Sequence, residues 1–451
     1  MNQLQLFLPC AAGVEALLAT EVQRVTGIAG KAWRAGVQLQ GSWRDALQLN
    51  LHSRLAQRVL IELQHGLYRN EQDLYNAAAS VAWEIWFTPK QTFKVEITAQ
   101  HSPLTSLNFA ALKIKDAIAD RFRAKYDVRP DVDTHWPDVR VYAHLTTDSV
   151  TVYIDTSGEP LFKRGWREDK GDAPLKETLA AAMIAASGWD QLCKQGVPLY
   201  DPCCGSGTIA IEAAQIACNI APGINRRFAF QKYLPFQGHV WDGLLDQAEA
   251  AITEPTAPVF GSDVSFRMVD FAERNAERAG VAKAVQFRGG DALQRMPPAP
   301  SGVMLVNPPY GERIDVAGVA GISAVQSRNQ RDERRQGVDE FGQPLRRDGR
   351  DAVASDTPRD RSANPGREQA QTDSGEEAAD FFPQLAAHWK KNYAGWTAHV
   401  LTPDLKLPSK MRLKESRRVP MWNGPIECRL FRFDMVAGSA RGKPAGAPQT
   451  P

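Results

Sequence analysis

The segment Leu199-Tyr200-Asp201-Pro202-Cys203-Cys204-Gly205-Ser206-Gly207-Thr208 constrains this chain more than any other. A short apolar strand enters a turn with two glycines, and Gly207–Ala221 leaves it with the apolar spacing of a helix. Gly205 and Gly207 can take backbone conformations closed to other residues and let the main chain approach a ligand. The first turn of the helix adds N–H groups without intrahelical partners. A turn of this kind belongs at the carboxyl end of a parallel strand, so the surrounding sheet is expected to be α/β and doubly wound.

The flanking sequence fits. Strands are predicted over Pro258–Ser262, Ala284–Arg288, Val303–Val306, Thr397–Thr402 and Leu430–Met435, with helices over Phe266–Ala279 and Phe381–Tyr393. The ligand is less certain from the turn alone. A dinucleotide fingerprint asks for a third glycine where Ala210 stands, and alanine is the looser substitute. Two acids narrow it. Asp263 follows Val259-Phe260-Gly261-Ser262 and is placed to accept hydrogen bonds from ribose hydroxyls. Asp291, in Gly289-Gly290-Asp291-Ala292, is placed to meet an exocyclic adenine amine. Either could instead cap a following helix. The candidate cofactor-binding set is Asp201, Pro202, Cys204, Gly205, Gly207, Thr208, Asp263 and Asp291.

The predicted strand Val303–Val306 runs into Asn307-Pro308-Pro309-Tyr310. Two prolines stiffen that turn and remove two backbone donors. An Asn side-chain oxygen and a proline carbonyl remain as fixed acceptors, suited to the two hydrogens of a planar amino group. Such an amine is a poor nucleophile because its lone pair is delocalised into the ring. Hydrogen bonds that favour a pyramidal nitrogen release the lone pair. Tyr310 offers a face for base stacking, worth roughly 1–3 kcal/mol, and a paired base must be flipped out to reach it. In-line attack on a sulfonium methyl then needs mainly positioning. The candidate catalytic set is Asn307, Pro308, Pro309 and Tyr310.

The N-terminal half reads differently. Residues 1–57 form a small α+β unit, with strands Leu4–Leu8 and Gly36–Leu39 and helices Ala12–Thr26 and Arg44–Gln57. Residues 58–156 form a second, with strands Arg58–His65, Thr92–Ala99, Val139–Thr146 and Ser149–Asp155 and helices Glu71–Ala82 and Asn108–Tyr126. That sheet is expected to be antiparallel, and Leu112, Ile114, Ile118 and Phe122 to be the buried positions of the long helix. The glycine-turn domain then covers 157–436. Within it, 316–379 is rich in Arg, Asp, Gln, Gly and Ser and reads as a disordered insertion. Residues 437–451 read as a disordered tail.

The formal net charge is +2 over 451 residues, so any nucleic-acid surface must be local. Lys113 and Lys115 on the long helix and Arg164 near the domain junction are the candidate RNA contacts. The six cysteines include no Cys-x-x-Cys pair, so no metal site is expected. No apolar run reaches the roughly 18 residues of a membrane span, and Met1–Pro9 does not resemble a signal peptide. No membrane partner is expected, and the expected location is cytoplasmic.

Asp201–Thr208 with Asn307–Tyr310 resembles the class I amino-methyltransferases. The wider match is to the THUMP-domain RNA methyltransferases, in particular bacterial enzymes of the RlmL type that modify guanine N2 in 23S ribosomal RNA. It includes Leu6-Phe7-Leu8-Pro9-Cys10, Pro103–Phe122, Ser157-Gly158-Glu159-Pro160-Leu161, Ala173-Pro174-Leu175-Lys176-Glu177 and Gly311-Glu312-Arg313. The resemblance implies a Rossmann-like methyltransferase domain preceded by ferredoxin-like and THUMP domains. It implies S-adenosylmethionine as cofactor near Asp201, Gly205 and Gly207, with ribose on Asp263 and adenine near Asp291. It places the target amine at Asn307 and Pro308, the base on Tyr310, and 23S rRNA or a large-subunit precursor as partner. Three departures stand out: Cys203 replaces a bulkier residue, the insertion after Arg313 is long, and the second methyltransferase domain of some members is expected to be missing.

Other readings stay open. The same four residues serve adenine-N6 and cytosine-N4 amines of DNA or RNA, although no DNA target-recognition region is evident. A non-catalytic RNA-binding assembly factor would not need the intact turn, acids and Asn307. A dehydrogenase would leave Asn-Pro-Pro-Tyr unexplained.

Overall fold

The structure is a computed structural model and describes residues 3–171, 174–308 and 376–436. The expected insertion lies outside the described residues except at its end, and the expected tail lies outside them entirely.

Residues 4–155 build one seven-stranded sheet. Its elements are β1 (Leu4–Pro9), α1 (Glu15–Thr26), β2 (Lys31–Trp33), β3 (Gly36–Gly41), α2 (Trp43–His52), β4 (Leu60–Leu67), α3 (Glu71–Ser80), β5 (Phe93–Ala99), α4 (Leu107–Tyr126), β6 (Val139–Leu145) and β7 (Ser149–Asp155). The order is β2-β3-β1-β4-β7-β6-β5. Local signals explain the helices. Ser42 and Asp45 close a capping box on α2, as Asn70 and Asp73 do on α3. Gly27, with φ of 75°, ends α1 in the left-handed cap that glycine favours. β1 pairs with β4 through Leu6 opposite Ile61 and Phe7 opposite Leu60. The two N-terminal units therefore share one sheet.

Two expectations about the second unit are corrected. β5 pairs with β6 in parallel, Phe93 opposite Val139 through Ala99 opposite Leu145, so the sheet is mixed. The connection between them contains α4, the long crossover that parallel neighbours need. On α4, Ile114, Ile118 and Phe122 are buried, but Leu112 is 51 % exposed. The buried stripe follows Ala110, Ile114, Ala117, Ile118 and Phe122, and Leu112 falls outside it beside exposed Phe109.

A second seven-stranded sheet carries the glycine turn. Its elements are α5 (Glu177–Ser187), α6 (Trp189–Leu192), β8 (Leu199–Asp201), α7 (Thr208–Ala217), α8 (Gly238–Ala250), β9 (Val259–Asp263), α9 (Phe266–Arg278), β10 (Val285–Gly289), β11 (Gly302–Val306), α10 (Glu376–Asn392), β12 (Trp396–Thr402), α11 (Leu407–Met411), β13 (Arg417–Asn423) and β14 (Ile426–Asp434). The order is β10-β9-β8-β11-β12-β14-β13. The first five are parallel, and β14 runs antiparallel between β12 and β13. The strand order reverses beside β8, which is where open α/β sheets bind ligands.

The halves are joined by a buried ion cluster. Glu212 of α7, fully buried, takes Nε of Arg164 at 3.0 Å and Nη1 of Arg54 at 3.2 Å. Arg164 also donates to Leu161 O at 2.7 Å and Arg54 O at 2.8 Å. Desolvating three charges is offset only when each is paired and hydrogen-bonded, as here. The expectation that Arg164 contacts RNA is thereby corrected. It is 3 % exposed and its guanidinium is spent on holding the domains together.

Candidate active site

The parallel strands set the geometry. Met304 of β11 lies opposite Tyr200 of β8, so Asp201 is level with Leu305, and Asn307 sits two residues further along. On the other side Asp201 lies opposite Gly261, which puts Asp263 two residues further along β9. Asp263 lies opposite Gly289, and Asp291 follows two residues beyond. Two residues of strand advance the chain by roughly 7 Å. Asp201 is thus recessed at the centre of an edge, with Asp263 and Asn307 projecting on either side.

The two glycines serve different needs. Gly207 has φ of 89°, and a Cβ there would lie 2.9 Å from Ala272 Cβ and 3.0 Å from Phe287 Cζ. It lets α7 pack close to α9 and β10. Gly205 has φ of 51° and faces open space where a Cβ would stand. Its N–H donates to Asp263 Oδ2 at 2.9 Å, while Ser265 N donates to Oδ1 at 2.9 Å. Asp263 therefore braces Ser265, the N-cap of α9, and steadies the turn, and each oxygen keeps a further lone pair for a ligand hydroxyl.

The other turn residues are more enclosed. Cys204 is buried, and its N–H donates to Ser262 O at 2.9 Å. Pro202 O accepts from Ser262 Oγ at 3.5 Å. Thr208 Oγ1 accepts from Arg167 Nη2 at 2.7 Å. These three shape the turn from its protein side.

The acids give the cleft its electrostatic character. Burial pushes the Asp201 carboxyl up to about 8, and the Asp263 charge adds to the rise. Its Oδ1 accepts from Cys203 N at 3.1 Å. Asp263 is likewise raised by burial. The thiol of Cys203 is pushed well up by burial and by Asp201, Asp263 and Asp291. A cationic group would relieve this concentration of carboxylates.

Across the edge, Asn307 Oδ1 is buried and has no hydrogen-bond partner among the described residues. A buried acceptor left unpaired costs about 1–3 kcal/mol, a cost recovered when a donor arrives. Pro308 beside it is buried. Pro309 and Tyr310 lie outside the described residues. Lys113 lies 5.4 Å from the Phe109 ring, and Lys115 pairs with Asp116 at 2.7 Å.

Three residues at the edge escaped the sequence reading. Phe266 is 80 % exposed at the start of α9, and its ring lies against Gly289. Val264 is exposed immediately after Asp263. Asn275 of α9 is fully buried; its Nδ2 donates to Ser206 O at 3.1 Å and Asp169 O at 2.9 Å, and its Oδ1 accepts from Glu168 N at 3.3 Å. It ties the interdomain strap to the glycine turn. A phenylalanine interrupting the polar start of a helix was the signal for Phe266; nothing local marked Asn275. Among the described residues, no group of three or more His, Cys, Asp or Glu could hold a metal ion, and no helix is long and apolar enough to cross a membrane.

This combination of strand order, glycine turn, strand-end acids and Asn-Pro turn is that of the class I methyltransferase fold. Residues 5–60 match the RlmL ferredoxin-like domain, 68–155 the THUMP domain, and 164–321 the RMKL-like methyltransferase domain. The chain thus carries these three domains in order, an RlmL ferredoxin-like domain, a THUMP domain and an RMKL-like methyltransferase domain. It is 32 % identical over 437 residues to the ribosomal RNA large subunit methyltransferase K/L of Psychromonas ingrahamii, covering 95 % of this chain and 50 % of that protein. It is 34 % identical over 443 residues to the enzyme of that name from Shewanella pealeana, covering 97 % and 54 %. The chain thus spans about half the length of these curated relatives. Among solved structures it resembles a methyltransferase-fold chain in complex with SAH, with TM-score 0.75, 24 % identity and coverage of 96 % of this chain and 98 % of that one. It also resembles a chain from Listeria monocytogenes described as an N6-adenine-specific DNA methylase, with TM-score 0.74, 25 % identity and 96 % coverage of both.

Proposed function

We propose that this protein uses S-adenosylmethionine to methylate the exocyclic N2 of a guanine in 23S ribosomal RNA. The observation that carries the reading is the buried Asn307 Oδ1, unpaired among the described residues, just past the end of β11 and on the same edge as the glycine turn. Asp263 would receive the ribose hydroxyls of the cofactor and Asp291 the amine of its adenine, with the exposed side chains of Val264 and Phe266 available to the ring. Gly205 leaves room for the methionine end. Asp201 and its acidic neighbours suit a ligand that carries sulfonium and ammonium charges. When bound, the cofactor supplies an electrophilic methyl group. Asn307 Oδ1 and Pro308 O accept the two amine hydrogens, orient the nitrogen and make its lone pair available. Tyr310, which lies outside the described residues, is assigned from the sequence the part of stacking on the base. RNA and the large subunit come from the names of the relatives and from the THUMP domain.

A second reading is methylation of an adenine N6, since the Listeria neighbour bears that description and an Asn-Pro turn accepts that amine equally well. One experiment separates them. Purified protein is incubated with radiolabelled S-adenosylmethionine and either ribosomal RNA or genomic DNA from a strain lacking the gene, and the labelled nucleoside is identified. N2-methylguanosine at one site in the RNA is the expected product. Label in N6-methyladenine, or in DNA alone, would replace the guanine assignment.

A further inference from the structure

One charged surface plays no part in the site. From Lys406 to Arg418 the chain has six cations (Lys406, Lys410, Arg412, Lys414, Arg417 and Arg418) and one acid, Glu415. All six cations are exposed. Lys410 pairs with Asp404 at 2.7 Å; none of the other five has an ion pair among the described residues. In a chain with a net charge of only +2, this is a concentrated positive field.

Helix α4 makes the contrast clear. It carries five cations, but Arg121 and Lys125 share Glu84 at 2.8 and 2.7 Å, Arg123 pairs with Asp120 at 3.2 Å, and Lys115 pairs with Asp116 at 2.7 Å. Four of its five positive charges are already answered within the protein.

The position of the 406–418 surface is equally specific. β12 runs parallel to β11, with Val306 opposite Val400. The chain therefore leaves β12 at Thr402 one strand away from Asn307, a spacing of about 4.8 Å. The surface is also rigid. Leu407 and Met411 of α11 are buried in the core. Lys390 of α10 donates to Arg412 O at 2.8 Å and Met411 O at 3.4 Å, closing the carboxyl end of α11. Arg412 itself holds φ of 49°, a left-handed conformation that a non-glycine residue keeps only where its surroundings fix it. Exposed cations fixed on packed elements, five of the six without an ion pair among the described residues, suit a repeating array of anions better than a single counterion.

We propose that residues 406–418 form an RNA-contact surface on the methyltransferase domain itself, gripping backbone phosphates next to the target base. The proposal rests on RNA being the substrate. Its test uses the full chain, a large-subunit ribosomal RNA transcript and a range of salt concentrations. The variant Lys406→Ala/Lys414→Ala/Arg418→Ala is compared with a charge-matched control, Lys90→Ala/Lys194→Ala/Lys283→Ala. The surface variant is expected to raise the Kd and KM for RNA about tenfold or more, and to flatten the slope of log affinity against log salt by about two to three. Its SAH affinity and its kcat at saturating RNA stay at the wild-type level, and the control binds RNA as the wild type does. Unchanged RNA affinity and slope in the surface variant, with SAH binding intact, overturn the proposal. So does an equal loss in the control, which reduces the effect to bulk charge. Lost binding to anionic vesicles or an acidic polypeptide with RNA affinity unchanged also overturns it. If the triple variant does not fold, Lys414→Ala alone carries the test, with a slope change of about one. A wild-type protein that methylates only DNA refutes the substrate reading instead.

Discussion

The N–H of Gly205 and Oδ2 of Asp263 are 2.9 Å apart, a hydrogen bond that fastens the glycine turn to the end of the neighbouring strand. The acid we propose for the cofactor ribose therefore also steadies the turn proposed to take the methionine end. Asp263→Ala should weaken SAH binding at least tenfold, because it removes ligand acceptors and loosens the turn together. Calorimetry checks this; wild-type affinity would remove Asp263 from the site.

Asn307→Ala separates binding from chemistry. The variant should fold, bind SAH as the wild type does, and lose about 10²-fold or more in kcat, the scale seen when one preorganised polar group at a reacting centre is removed. Turnover within threefold of wild type would refute the role assigned to Asn307.

The two glycines should fail in different ways. Gly207→Ala meets Ala272, Phe287 and Ile211 and should cost about 1–3 kcal/mol of stability. Gly205→Ala has room for its methyl group and should cost less stability but most of the SAH affinity. Thermal melts with and without SAH distinguish the two. Equal melting losses, with SAH shifting both variants as it shifts the wild type, would contradict the division.

Asp201 predicts a pH dependence. Its carboxyl is raised to about 8 in the fold, against about 4 in an unfolded chain. Between these values the native state holds a proton that the unfolded state has released. Its contribution to stability is full below pH 4, falls as pH rises to 8, and is level above. Urea melts of the ligand-free protein at pH 5 and pH 8 should show this decline, and Asp201→Asn should reduce it. The same decline in both proteins would assign it to another group.

Glu212 answers both Arg54 and Arg164. Glu212→Gln leaves two arginines short of a counter-charge in a buried site, a loss of about 3–5 kcal/mol. Calorimetric unfolding should show a lower Tm or two separate transitions where the wild type has one. An unshifted single transition would show that the cluster does not couple the domains.

Much of this was legible because it is local. The glycine turn, the strand-end acids and the Asn-Pro turn are short segments whose chemistry depends on immediate neighbours. Periodicity also placed Ile114, Ile118 and Phe122 in the core. What escaped depends on residues far along the chain. Arg164 looked like a surface cation until Glu212, 48 positions away, was seen to bury it. The parallel pairing of β5 with β6 is a choice of partner, which alternation within a strand does not encode. β2 and β13 are edge strands with little burial, so their patterns are weak. Asn275 works by touching a strap more than a hundred positions earlier.

The continuous N-terminal sheet has a mechanical consequence. Strands β1 and β4 leave no seam between the first two units, and the Glu212 cluster welds them to the catalytic half. Under the proposed function such a frame would act as a fixed gauge: an RNA gripped by the N-terminal half would meet the edge of β8 and β11 at a span set by the protein, so that selection would follow the fold of the RNA.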